Sequence, residues 1–242
     1  MVTHAEDLRF RLATVELLQT AKKKYTYRDL SRQTNLPITV LSRYVKGHVL
    51  PNTSRSRALW NSLSKIVGLE SEFRRRIKFD ENGFFDNTQI IGDINLLNQA
   101  ANYALAKFAG RRITKVLSAA VDGIPLATLV ASALDVDLVI AKANKEVGVL
   151  SFIEETYTLD ISGHTMTLYL PKDAIKKRDS VLVVDDVIKS GETQLALLKL
   201  VDKAKAEVSG IFAMIAVGDS WKQKMKIPQN CQVEIIIEVK TP

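Results

Sequence analysis

Val181–Leu182–Val183–Val184–Asp185–Asp186–Val187–Ile188–Lys189–Ser190–Gly191–Glu192–Thr193 is the stretch on which the fold turns. Its first four residues are all apolar and mostly β-branched, the pattern of a strand buried on both faces rather than one that alternates. Two adjacent carboxylates follow, then a short loop, and a helix is expected to begin at Thr193 and reach about residue 205. A loop feeding a helix N-terminus offers free backbone N–H groups and the positive end of the helix dipole to an anion. Gly191 lets the backbone approach closely. Ser190 and Thr193 add hydroxyl donors, and Lys189 adds positive charge. Glu192 is anionic beside such a pocket, so its side chain should point outward. Asp185 and Asp186 would repel a phosphate, so they are expected to face sugar hydroxyls, which need acceptors. A phosphorylated ribose satisfies both halves. The plain alternative is an acidic strand end that caps an ordinary helix. Neither common nucleotide fingerprint, G-x-x-x-x-G-K-[ST] or G-x-G-x-x-G, is present.

Working outward, apolar runs predict further strands at 114–121, 136–141, 211–217 and 233–239. Helical patterns lie at 94–109, 125–133 and 193–205. Alternating strands and helices imply an α/β domain with a mostly parallel sheet flanked by helices. Residues 148–170 read as a two-stranded excursion from that sheet. Asp122–Gly123 lies in Ala120–Val121–Asp122–Gly123–Ile124–Pro125, which follows a strand and opens a helix; by itself it is a turn signal. Lys142 and Lys145 follow the next strand, and a solvated lysine pair is the plain reading. Trp221 reads most simply as a packed aromatic.

The first third differs in kind. Residues 1–80 hold 16 Lys and Arg against 7 Asp and Glu, whereas residues 81–242 hold 18 against 20, so the whole net charge of +7 originates before residue 81. Such asymmetry points to a nucleic-acid module joined to a near-neutral domain. Leu8, Leu12, Val15, Leu17 and Leu18 recur at helical spacing over residues 5–20. A short helix is expected from Tyr27 to Thr34, a break at Asn35–Leu36–Pro37, and a second helix to about Val45, stopping near Gly47. Thr53 or Ser54 is expected to cap a fourth helix reaching Val67. Leu30, Leu36, Val40 and Leu41 would lock the two short helices together as an N-terminal helix-turn-helix. Pro37, Thr39, Ser42 and Arg43 would then face away, toward DNA bases and phosphates. Arg32, Lys46, Arg55 and Arg57 are phosphate candidates. A helical dimerisation module of the same shape is the alternative. Residues 70–93 read as charged and irregular, with a turn at Glu81–Asn82–Gly83. The chain is expected to divide into a DNA-binding domain and linker over 1–80 and a ligand-sensing domain over 81–242.

The 181–193 stretch resembles the phosphoribosyl pyrophosphate signature of type I phosphoribosyltransferases. By that resemblance Asp185 and Asp186 hold the ribose hydroxyls, and Lys189, Ser190, Gly191, Glu192 and Thr193 wrap the 5′-phosphate. The Asp122–Gly123 loop is similar to the family's diphosphate-binding loop, and Lys142 and Lys145 stand where the family has a basic residue near the diphosphate. The resemblance also implies Mg²⁺, carried by the ligand's diphosphate rather than by a protein cage. As a whole the chain resembles archaeal regulators that join a helix-turn-helix to an orotate phosphoribosyltransferase-like domain and, more distantly, bacterial purine repressors. Lys189 and Glu192 depart from common catalytic forms of the loop. The expectation is therefore a transcriptional regulator whose transferase fold is kept as a sensor, without assigned catalytic residues; an active orotate- or purine-type phosphoribosyltransferase is the alternative. DNA, a phosphoribosyl ligand and a second copy of the chain, as a homodimer, are the expected partners. The single cysteine, Cys231, excludes an internal disulfide. With no secretory pattern at the N-terminus and no membrane-length apolar run, the expected location is cytoplasmic.

Overall fold

A computed structural model describes residues 3–81, 85–159, 163–225, 227 and 231–240. Two compact units emerge: Met1–Arg75 with Phe108–Gly110, and Arg76–Lys107 with Arg111–Pro242.

The first unit is helical: α1 (His4–Lys24), α2 (Tyr27–Thr34), α3 (Ile38–Val45), α4 (Thr53–Val67) and α5 (Leu69–Arg76). Local chemistry sets most of the boundaries. Thr3 opens α1 through a capping box with Glu6, and Thr26 opens α2 through the same device with Asp29. Asn35 ends α2 in the left-handed region at φ 53°, and Pro37 starts α3. Asn52, rather than Thr53 or Ser54, caps α4, its Oδ1 accepting from the Arg55 N–H at 2.9 Å. Leu18, Ala21, Leu30, Leu41, Leu59 and Leu63 form the core, with Leu36 and Val40 packed at its margin. Leu12 does not join it and is 49% exposed. The buried stripe of α1 runs instead through Phe10, Thr14, Leu18 and Ala21. Two residues from Phe10 is about 200° around a helix, so Leu12 faces the other way.

Residues 70–93 are not irregular. They hold most of α5, a two-residue hairpin pair β1 (Lys78–Phe79) and β2 (Phe85–Asp86), and the single-turn helix α6 (Thr88–Ile91). β1, β2 and α6 are too short for a periodic pattern to register, and α5, as long as α2 and α3, has only Leu69 and Phe73 as apolar residues to show one. The expected turn at 81–83 falls on Asn82 and Gly83, which lie outside the described residues.

The second unit continues with α7 (Ile94–Phe108), β3 (Lys115–Ala119), α8 (Ile124–Leu134) and β4 (Asp137–Ala141). Then come β5 (Phe152–Thr158), β6 (Thr165–Pro171), β7 (Ser180–Ile188), α9 (Glu192–Lys203), β8 (Glu207–Val217), α10 (Ser220–Lys224) and β9 (Gln232–Val239). Five strands pair in the order β4-β3-β7-β8-β9, and every pairing is parallel. The α/β fold with a parallel sheet flanked by helices is thus the one the sequence implies. Val181 to Val184 are fully buried, as a central strand covered on both faces requires. β7 runs four residues past Val184, because Asp185 through Ile188 keep pairing with β8 as far as Ile188 opposite Ala216. Two aspartates interrupt an apolar pattern without interrupting a hydrogen-bonded ladder. β5 and β6 form a separate antiparallel ribbon, Phe152 opposite Pro171 and Thr158 opposite Thr165. Its Glu155 is held against α9 by Lys199 at 2.8 Å and Lys203 at 2.6 Å. Cys231 is a free, half-buried thiol just before β9, and burial pushes its pKa up to about 11. No helix among the described residues is long and apolar enough to cross a membrane.

Candidate functional site

The central strand β7 delivers Asp185 and Asp186 to the C-terminal side of the sheet, where ligands of open α/β folds gather. Both side chains are nearly sealed, at 7% and 5% exposure. Each is held by one carboxamide. Gln194, buried in the first turn of α9, donates to Asp185 Oδ2 at 2.5 Å, while the backbone N–H of Asp186 donates to Asp185 Oδ1 at 3.0 Å. Asn87 donates from outside the sheet to Asp186 Oδ2. Burial, and next the negative charge of Asp186, raises the Asp185 pKa well above the usual carboxylate range.

The loop between strand and helix is shaped by Gly191. Its φ of 87° lies in the left-handed region, and a Cβ there would stand 3.0 Å from Met225 Cγ and 3.2 Å from Trp221 Cβ. Any other residue would be strained and crowded at once. Gly191 is the N-cap of α9 and, having no side chain, makes no cap bond to the first amides of that helix, the kind of amide an anion can take up. Lys189 is exposed and Ser190 half-buried. The Thr193 and Tyr157 hydroxyls lie 3.4 Å apart. Glu192 turns to α10, where its carboxylate meets Lys224 at 2.9 Å, so its charge is neutralised by a neighbour. Trp221 is a packed aromatic whose indole N–H donates to the Gly218 carbonyl at 3.2 Å.

A second loop closes on the carboxylates. The Ala120 N–H donates to Ala141 O at 2.9 Å, tying the 120–125 loop to the end of β4. Within that loop the Ala120–Val121 peptide is cis. Asp122 is exposed, and Gly123 is the N-cap of α8. A Cβ on Gly123 would fall 2.6 Å from Ser118 Oγ and 2.7 Å from Asp185 Oδ1. The 120–125 loop therefore closes on Asp185, a residue some sixty positions further along the chain. Lys142 is bonded through its backbone to Tyr169 of the ribbon and pairs with Glu146 at 2.8 Å. Lys145 pairs with Glu154 at 3.4 Å and lies 5.0 Å over the Tyr169 ring. Both lysines stand at the same edge as the loops, but each already has an anionic partner.

In the helical unit, Pro37, Thr39, Arg43 and Lys46 are exposed and Ser42 is half-buried. Arg32 pairs with Asp29 at 2.5 Å, and Arg55 donates to the Tyr44 hydroxyl at 3.1 Å. Three site residues escape sequence reasoning. Gln194 carries a faint signal, as a polar residue on the inward face of an apolar helix. Asn87 and Tyr157 carry none, being 99 and 36 residues from their partners.

A parallel sheet whose central strand presents a carboxylate pair, followed by a glycine-turned loop that caps a helix, is the type I phosphoribosyltransferase fold. The chain belongs to the phosphoribosyl transferase domain family, whose model matches residues 84–241. It is 32% identical over 133 residues to the purine biosynthesis transcriptional repressor of Bacillus subtilis, spanning 55% of this chain and 47% of the repressor. It is 29% identical over 161 residues to the xanthine phosphoribosyltransferase of Oceanobacillus iheyensis, spanning 65% and 80%. The adenine phosphoribosyltransferase of Rhodothermus marinus superposes with a TM-score of 0.60 at 29% identity, covering 71% of this chain and 98% of that one. Most of the similar proteins are xanthine, hypoxanthine/guanine or adenine phosphoribosyltransferases, which are enzymes. They weigh against the expectation of a sensor without catalysis and toward the transferase alternative.

Proposed function

We propose that this chain binds phosphoribosyl pyrophosphate and transfers its phosphoribosyl group to a purine-class base. The observation that carries the reading is the closure of the Gly123 loop on Asp185, one of a carboxylate pair that β7 delivers just ahead of the α9 N-terminus. Asp185 and Asp186 accept from the ribose hydroxyls. Lys189, Ser190, Gly191, Glu192 and Thr193 surround the 5′-phosphate through the amides at the start of α9. The Asp122–Gly123 loop, with Lys142 and Lys145 beside it, faces the diphosphate. In the transfer, the bond from the ribose carbon to diphosphate breaks and a bond to the base nitrogen forms; diphosphate leaves with the bonding pair, and the base loses a proton. Fixed amides and cations near the leaving group stabilise the charge that develops there. Mg²⁺ suits this site as a companion of the diphosphate, bound by its oxygens and by water. Among the described residues no group of three or more His, Cys, Asp or Glu side chains is placed to cage an ion.

A second reading has its own support. The excess of 16 basic over 7 acidic residues before residue 81, and the similarity to a transcriptional repressor, favour a ligand-controlled DNA-binding regulator. In that reading α2 and α3 form a helix-turn-helix, Pro37, Thr39, Ser42 and Arg43 meet the major groove, Arg32, Lys46 and Arg55 meet phosphates, and a homodimer reads paired half-sites. One experiment separates the two. Phosphoribosyl pyrophosphate with Mg²⁺ is titrated by calorimetry, and the same mixture is assayed for diphosphate release with xanthine, hypoxanthine, guanine and adenine. Binding with turnover supports the transferase. Binding without turnover, with duplex DNA affinity that falls steeply with salt, supports the regulator. Absence of binding refutes the sugar-phosphate site itself.

A further inference from the structure

The two carboxamides that hold the carboxylate pair differ in how firmly they are built in. Gln194 is 2% exposed and sits inside the first turn of a twelve-residue helix, packed among the core residues of α9. Its bond to Asp185 belongs to the permanent frame of the loop. Asn87 is half-buried and lies between a two-residue strand and a single-turn helix. Its carbonyl accepts from the Ile90 N–H at 2.8 Å and the Ile91 N–H at 3.0 Å, so its backbone is tied into α6, while its side chain caps nothing there. What anchors this region lies further on: Ile90 is fully buried, and Asp93 pairs with Arg76 at 2.5 Å. The Asn87 side chain can therefore leave Asp186 without unseating the turn behind it, since short peripheral elements with few buried contacts open at low cost.

Asn87 also stands in the way. A carboxylate is an acceptor only, so the Asn87 amide presents its NH₂ donors to Asp186. A ribose hydroxyl would offer the same kind of donor to the same oxygen. With Asp186 at 5% exposure, little of the carboxylate is open to a second donor. We propose that Asn87 is a latch on the sugar subsite: its carboxamide stands in for a ribose hydroxyl on Asp186 in the empty protein, and ligand must displace it. This inference rests on the reading of Asp186 as a ribose acceptor. Loading the site then frees the Asn87 side chain, while Gln194 stays on Asp185.

The consequence has a sign. A residue that merely supports Asp186 would weaken ligand binding when removed. A latch does the opposite, because the variant's empty state leaves a buried carboxylate short of a donor and the incoming hydroxyl displaces nothing. The test is calorimetric titration of phosphoribosyl pyrophosphate with Mg²⁺ into the full chain, as wild type, Asn87→Ala and Gln194→Ala, with thermal melts to confirm folding. Asn87→Ala is expected to bind about 10- to 100-fold tighter, the scale of one hydrogen bond to a charged group, and Gln194→Ala to bind weaker. Wild-type binding with equal or weaker affinity in Asn87→Ala overturns the latch and leaves the sugar site standing. Absence of binding in every form removes the sugar site, and the latch with it.

Discussion

Gly123 stands against Asp185: a Cβ on the glycine would lie 2.7 Å from the carboxylate Oδ1 and 2.6 Å from Ser118 Oγ. The contact joins the end of β3 to the end of β7, and neither neighbour has room to yield, since Ser118 and Asp185 are both buried. Gly123→Ala is expected to destabilise the second unit by about 1–3 kcal/mol, the usual cost of overpacking, and to weaken phosphoribosyl pyrophosphate binding by pushing Asp185 off its position. Thermal unfolding and ligand titration check this. An alanine variant with wild-type melting and affinity would show that the loop relaxes freely.

Replacing both aspartates separates function from folding. Asp185→Asn with Asp186→Asn is expected to cut ligand affinity about 100-fold or more, since two charge-assisted acceptors are lost, while the sheet remains folded. Retained affinity in a folded double variant refutes the sugar assignment. Asp185→Asn alone reports on protonation. Because burial and the Asp186 charge raise the folded pKa of Asp185 above its unfolded value, its contribution is fully present below the ordinary carboxylate range. That contribution is lost as pH rises toward the raised value. The stability of wild type relative to Asp185→Asn should therefore fall as pH increases from about 4, measured by urea unfolding. A difference that is flat with pH would contradict the shift.

Glu72 behaves in the opposite sense. Hydrogen bonds from Lys24 at 2.7 Å and Arg75 at 2.9 Å hold the pKa of its carboxyl at about 2, well below the ordinary carboxylate range. Its stabilising contribution is present above the unfolded pKa and is lost as pH falls through the folded one. Glu72→Gln is expected to destabilise the helical unit by about 1 kcal/mol near neutrality, solvent screening keeping the value modest. The deficit should shrink as pH falls from about 4.5 toward 2. Unfolding curves at pH 7, 4 and 2.5, read by helical circular dichroism, follow it. An equal deficit at every pH would rule the charge out as its cause.

Arg43 tests the regulator reading. It is exposed on α3. Arg43→Ala is expected to lower affinity for duplex DNA about tenfold and to leave ligand binding unchanged. Gel shift or fluorescence anisotropy at several salt concentrations measures it. Unchanged DNA binding removes Arg43 from the recognition helix.

What the sequence alone determined is local or periodic. The apolar run Val181–Val184 meant a buried parallel strand, the loop Lys189–Thr193 meant a helix N-terminus, and the spacing around Asn35–Pro37 meant two short helices with a turn between them. Each depends on residues within one or two turns of one another, so the chain carries it before any folding. The same reasoning failed where elements are short or poor in apolar residues, at α5 to α6, and where helical phase rather than composition decides burial, at Leu12. Tertiary structure alone decided that Gly123 closes on Asp185, that Glu155 pairs with Lys199 and Lys203, and that Asn87 reaches Asp186 across 99 residues. Those contacts are set by which surfaces the five-stranded sheet brings together. No periodicity in the sequence records that choice, because a side chain's distant partner leaves no trace in the residues beside it.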